Sequence, residues 1–261
     1  MTTHRSAVLA YPRLSRWASF CPRVPRRSFS VLRSMFLCGD AGRHATGTFT
    51  PNVTAMRIGE NVRLAIDAME AEPREIELAM MLACAAIDGT ARRRYPALAS
   101  RARFVQTVRD FYWLIEPLAL RGINLDETLW TNLSGPSSKT PPDFAEVLYS
   151  IHRCNHMHGD EVPFGHVFTE TTDVSGGLFA WQWTVAKDVL ALPDRLPFAL
   201  VACAVLAPEN ALEETDDGYY FYNLDCVTYE INDWWGRAEE FRPVAAANNL
   251  IRVKLEPGTD W

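Results

Sequence analysis

Downstream of residue 56 the apolar positions recur with helical spacing. Ile58, Val62, Ala65, Ile66 and Met69 form one stripe and predict a helix over residues 57–71. Pro73, followed by Glu75 and Glu77, marks the first turn of a second helix, because a missing N–H costs nothing there and the dipole favours acids. Its inward face is Ile76, Met80, Ala83, Cys84 and Ile87, and it ends before Pro96. A third helix is predicted from Ser100 to Glu116, stopped by Pro117. The stretch NLSGPSSKTPP over residues 132–142 is a loop, after which Asp143 is an N-cap. The fourth helix then points Phe144, Val147, Leu148 and Ile151 inward.

Beyond Gly159 the pattern is weaker. Val162–Thr171 reads as a short extended segment. Trp181–Leu192 and Arg195–Ala207 read as two more helices, with Pro208 as the stop. Residues 210–218 form an acidic loop, and the tail after Tyr219 is aromatic. Residues 56–261 are therefore expected to form one all-α domain with little β-structure.

Charge separates the leader from this body. Residues 1–55 carry eight arginines against one acid, Asp40, whereas the remainder has a net charge of −13. The leader is read as a disordered extension upstream of a later start, as a targeting segment, or as a basic arm. The acidic body excludes indiscriminate binding to nucleic acid, so any RNA contact must use a local basic site. The longest apolar run, Leu196–Ala207, is shorter than the ~18 residues that a membrane span requires. Six cysteines without a CxxC pair are expected to be free thiols in a reducing, cytoplasmic setting.

The sharpest local anomaly is histidine clustering, with His152, His156, His158 and His166 in IHRCNHMHGDEVPFGH. One chemistry is metal binding, with His152 and His156 at i,i+4 and Cys154, Asp160 or His166 as further ligands. No Glu follows His152, so this is not the HExxH pattern. The other is acid–base chemistry on Arg153 and His158, spaced Arg-x4-His at a helix end. Asn155 and His158 continue the inward face, where a hydrogen-bonded polar pair is the alternative to a functional one. At ~100° per residue Arg153 lies about 140° from His158, so an undistorted helix does not bring the two together.

The segment AEVLYSIHRCNHMH (residues 145–158) resembles the signature helix of the HEPN superfamily, whose motif is Arg-x4–6-His. LACAAIDGTARRRY (residues 82–95) is similar to the helix that carries an acidic residue in HEPN-like families. The resemblance covers about residues 75–160. The position after the arginine, often Asn, Asp or His in active members, is Cys154, and Asn155 follows it.

This resemblance implies a HEPN-like helical bundle and a homodimer cutting RNA without metal or cofactor, in a toxin or defence setting with an antitoxin or regulatory partner. By it, Arg153 holds the scissile phosphate, His158 is the general acid–base, Asp88 orients one of them, and Asn155 supplies a hydrogen bond. A catalytically silent module that binds RNA or protein is the alternative, and a helical metal protein built on His152 and His156 is another. The residues alone give Asp88 an i,i+4 ion-pair partner, Arg92. They give the aromatic tail a packing or oligomer-interface role in preference to RNA stacking, and the Arg92–Arg94 run a helix-end role.

Overall fold

The computed structural model describes residues 58–120, 122–125, 128, 142–154, 166–170, 172–173, 179–180, 184–186, 189–222 and 228–247. The basic leader, residues 1–55, lies outside them. Among the described residues the chain is mostly helical, with seven α-helices and three small sheets.

Two helices open the fold: α1 (Ile58–Glu70) and α2 (Ile76–Arg94). They follow the predicted stripes, and Val62, Ala65, Met80, Ala83 and Cys84 have no exposed surface. The chain turns between them through residues 71–75, where the Glu75 amide donates to the Ala68 carbonyl at 2.9 Å. Pro73 sits in this bend, so α2 starts at Ile76, after the proline.

The predicted third helix is two helices. α3 (Ser100–Asp110) and α4 (Tyr112–Ala119) meet at a turn on Phe111, and Pro117 lies inside α4. The break lets Phe111 and Tyr112 both face the core. The Tyr112 hydroxyl then donates to the Ile123 carbonyl at 2.8 Å.

α5 (Phe144–Val147) begins on Asp143, whose Oδ1 accepts the Glu146 amide at 2.9 Å, the predicted cap. The helix widens at once into a π-helix over Leu148–Arg153. All four residues predicted to face inward are buried.

The segment Trp181–Leu192, predicted as a helix, is corrected to strands in its described parts. β4 (Thr184–Ala186) pairs antiparallel with β5 (Val189–Pro193), and β5 pairs parallel with β1 (His166–Thr169). A short apolar run does not distinguish a buried strand from a buried helix, and here pairing with the distant β1 decides the outcome. β2 (Thr172–Asp173) and β3 (Phe179–Ala180) form a separate small ladder.

From β5 the chain enters α6 (Leu196–Leu206), the centre of the molecule. Ten of its eleven residues are buried, and it packs on α1, α2 and α4. A helix that is apolar on every side belongs in the middle of a core. No described helix is long and apolar enough to cross a membrane.

The aromatic tail forms β6 (Tyr220–Tyr222), β7 (Thr228–Glu230) and α7 (Ala238–Ala247). Phe221, Tyr229, Trp234 and Phe241 pack on one another with ring centroids 5.0–5.6 Å apart. The Arg92–Arg94 run ends α2, where Arg93 ties down the acidic loop and Arg94 bridges α3 and the turn just before that loop. Arg93 donates to Asn210 Oδ1 at 3.0 Å, and Arg94 reaches Asp110 at 2.9 Å and Glu209 at 2.7 Å.

Candidate functional site

Three elements converge where the π-helix packs against α2 and α3. α2 contributes Cys84 and, one turn later, Asp88. α3 contributes Ser100 and Arg103, again one turn apart. The π-helix contributes Tyr149 and Arg153, with Cys154 following.

Arg153 is the hub. Its Nη2 stands 3.4 Å from Asp88 Oδ2 and donates to Ser100 Oγ at 3.3 Å. Its guanidinium carbon lies 5.3 Å from the centroid of the Tyr149 ring, a cation–π contact. That ring in turn meets Phe104 edge-on at 5.5 Å. Asp88 has a second cationic neighbour, since Arg103 Nη2 is 3.9 Å from its Oδ1. The three charged side chains are largely buried, at 13% exposure for Asp88, 14% for Arg153 and 15% for Arg103.

Burial works against the charge on Arg153, but Asp88 and Tyr149 outweigh it and push its pKa up, so the cation is permanent. Burial raises the Tyr149 hydroxyl, with the neighbouring Cys154 adding to the shift. Burial also pushes the Cys84 thiol well above the ordinary thiol range, so it is an inert neutral neighbour.

Among the described residues the ion partners of Asp88 are therefore Arg103 and Arg153, in place of the helix neighbour Arg92. The sequence geometry set Arg153 about 140° from the inward-facing position of His158, whereas the structure tucks it between helices. The reason is the π-turn, which alters the angular spacing assumed for a regular α-helix and places α2 and α3 within reach of the side chain. Asn155 and His158 lie outside the described residues, as do His156 and Asp160 of the metal reading.

His152 is buried, 3% exposed, and its ring centroid is 5.4 Å from that of Phe168 on β1. That ring therefore touches a partly buried aromatic that packs against the core. Among the described residues, no three His, Cys, Asp or Glu side chains gather in a group able to hold a metal ion.

Ser100, Arg103 and Tyr149 are members of the cluster that sequence reasoning missed. No local signal marks Arg103, which in sequence is one of several cations along α3. Tyr149 lies four residues before Arg153, the spacing at which helical side chains meet.

No solved structure matches the chain. The uncharacterized protein Rv1289 of Mycobacterium tuberculosis is 32% identical over 208 residues, covering 78% of this chain and 95% of that protein. The uncharacterized protein Mb1320 of Mycobacterium bovis matches to the same extent. The model of the Rv1289 family matches residues 57–261, which take in α1 to α7 and every member of the cluster around Asp88. The chain belongs to the Rv1289 family.

Proposed function

We propose that the protein is a HEPN-type endoribonuclease that cuts RNA without a metal ion and acts as a homodimer. The observation that carries this reading is the pairing of Arg153 with Asp88 inside a cationic cluster, five residues before His158 in the chain. A π-turn often accompanies functional sites, and Arg153 at the end of this one pairs with Asp88 of α2, which supports the reading.

In this reaction the RNA 2′-hydroxyl attacks the adjacent phosphorus and the 5′-oxygen leaves, giving a 2′,3′-cyclic phosphate and a 5′-hydroxyl. The nucleophile is part of the substrate, so proton transfer and charge stabilisation suffice. Arg153 stabilises the charge gathering on the non-bridging oxygens. His158 moves the proton as general acid–base, and Asn155 donates a hydrogen bond. Asp88 is a positioning residue that fixes the Arg153 guanidinium.

A second reading is a silent module that binds RNA or protein. It is favoured by the burial of Arg153 and its ties to Asp88, Ser100 and Tyr149, which also suit a structural strut.

The test is RNA cleavage by the full chain in EDTA, with the product ends identified. His158→Ala is expected to abolish cleavage. Arg153→Ala is expected to slow it roughly 10²–10³-fold, the usual cost of a lost transition-state contact. Wild-type protein that binds RNA and leaves it intact would establish the silent module, and cleavage by the double mutant would end the nuclease reading.

A further inference from the structure

We infer that Arg103 is a substrate-binding residue, and that Arg103 and Arg153 together clamp one phosphodiester of the RNA, with Asp88 as their shared counter-ion in the free protein. The identity of the substrate rests on the ribonuclease reading; the clamp itself rests on the cluster.

The carrying observation is the state of the Arg103 side chain. A guanidinium has five N–H donors in a rigid fork. That of Arg103 makes no hydrogen bond to any described residue, although the side chain is only 15% exposed and its Nε is fully covered. Its one ionic contact, at 3.9 Å, is far longer than the ~2.7–2.9 Å of a charge-assisted hydrogen bond. Arg153 is under-used as well. Its Nε is buried without a partner, and its Nη2 divides two long contacts, 3.4 Å to Asp88 and 3.3 Å to Ser100. Asp88 Oδ1 likewise accepts no hydrogen bond. Buried polar groups are normally satisfied, by protein, by water or by a bound ion, and the guanidinium Nη groups of this cluster have donors left over for such a partner.

Charge gives the class of that ligand. Two arginines and one carboxylate leave a single positive charge in a poorly solvated place. A phosphodiester carries one negative charge and brings the total to zero, whereas a phosphomonoester dianion would overshoot. The planar fork of each arginine matches two oxygens of a phosphate, and the Ser100 hydroxyl is a further donor beside Arg153. Asp88 keeps two like charges together until the phosphate arrives.

The experiment uses the full chain and a single-stranded 2′-O-methyl RNA oligomer, which has no free 2′-hydroxyl and cannot be cut. Affinity is measured by fluorescence anisotropy over a range of salt concentrations, with urea unfolding as the control on each variant. Arg103→Met is expected to weaken binding at least tenfold and to lower the salt slope by about 0.7, one phosphate contact on a single strand. Arg103→Lys keeps the charge without the fork and is expected to recover the slope and only part of the affinity. On cleavable RNA, Arg103→Met is expected to act mainly on KM. A folded Arg103→Met protein with wild-type affinity and slope overturns the clamp, and RNA cleavage by that variant would then leave the ribonuclease reading standing. Wild-type protein that binds the oligomer through Arg103 but cuts no RNA keeps the clamp and removes the nuclease. If Arg103→Met does not fold, Arg103→Lys decides, since wild-type binding in that variant overturns the fork.

Discussion

Arg153 and Asp88 stand 3.4 Å apart although 65 positions separate them along the chain. The contact joins the π-helix to the middle of α2, and it exists because two unrelated local features cooperate. Asp88 lies one turn beyond Cys84, on a face of α2 turned toward the π-helix, and the π-turn swings Arg153 back toward it. Neither feature has any meaning without the other.

Removing the carboxylate should cost more than removing either cation. Asp88→Ala leaves two covered guanidiniums facing each other and is expected to destabilise by about 1–3 kcal/mol. Arg153→Ala leaves Asp88 with Arg103 as partner and should cost less. Urea unfolding of both single variants and the double variant gives the coupling, expected at about 0.5–3 kcal/mol. Equal costs with zero coupling would show that the three charges do not act as a unit.

Asn210 is a buried strut at the end of α6. Its Nδ2 donates to Thr90 Oγ1 and to the Ala204 carbonyl, both at 2.8 Å, while its Oδ1 accepts from Arg93 at 3.0 Å. Asn210→Ala strands buried partners and is expected to cost about 1–3 kcal/mol. Chemical denaturation checks this, and a neutral result would contradict the geometry.

Asp110 links acid pH to stability. Burial opposes its ionisation, but hydrogen bonds from Tyr95, Gln106 and Arg94 outweigh that and hold its carboxyl below the usual carboxylate range. A depressed folded-state pKa stabilises above the unfolded value, about 3.9, and the contribution is lost as pH falls through the folded value. The stability gap between wild type and Asp110→Asn should therefore be flat near neutrality and shrink below about pH 4. A gap that does not narrow at all on acidification would contradict the assignment.

Gly59 is where α1 approaches the acidic loop. Its amide donates to Glu213 Oε2 at 2.9 Å, and a Cβ placed there would stand 2.2 Å from the Glu214 carbonyl oxygen. That oxygen belongs to the backbone and has no rotamer to escape into. Gly59→Ala is expected to lower stability by about 1–3 kcal/mol, the usual range for overpacking. Thermal melting beside the wild type is the check, and an unchanged midpoint would mean that the loop is free to move.

Local chemistry made much of the helical framework legible in the residue order. The stripes of α1 and α2, the Asp143 cap and the buried face of Phe144, Val147, Leu148 and Ile151 all follow from side-chain period and capping, which act within a few residues. Arg153 and Asp88 stood out singly, the first through its spacing to His158 and the second through a resemblance. What local pattern could not supply was anything dependent on a distant partner. Trp181–Leu192 has enough apolar residues for a helix, yet β5 pairs with β1, more than twenty positions earlier, and that ladder satisfies its backbone. Ser100–Glu116 has one continuous helical stripe, but the core takes both Phe111 and Tyr112 and the chain breaks between α3 and α4 to supply them. Arg103 looks like any surface cation until α2 and the π-helix close over it, because burial and charge pairing are properties of neighbours and not of the residue itself. Side-chain period and capping thus determined most helices and one cap of this protein; the cluster around Asp88 was decided only by tertiary packing, which alone sets how close three helices bring their charges.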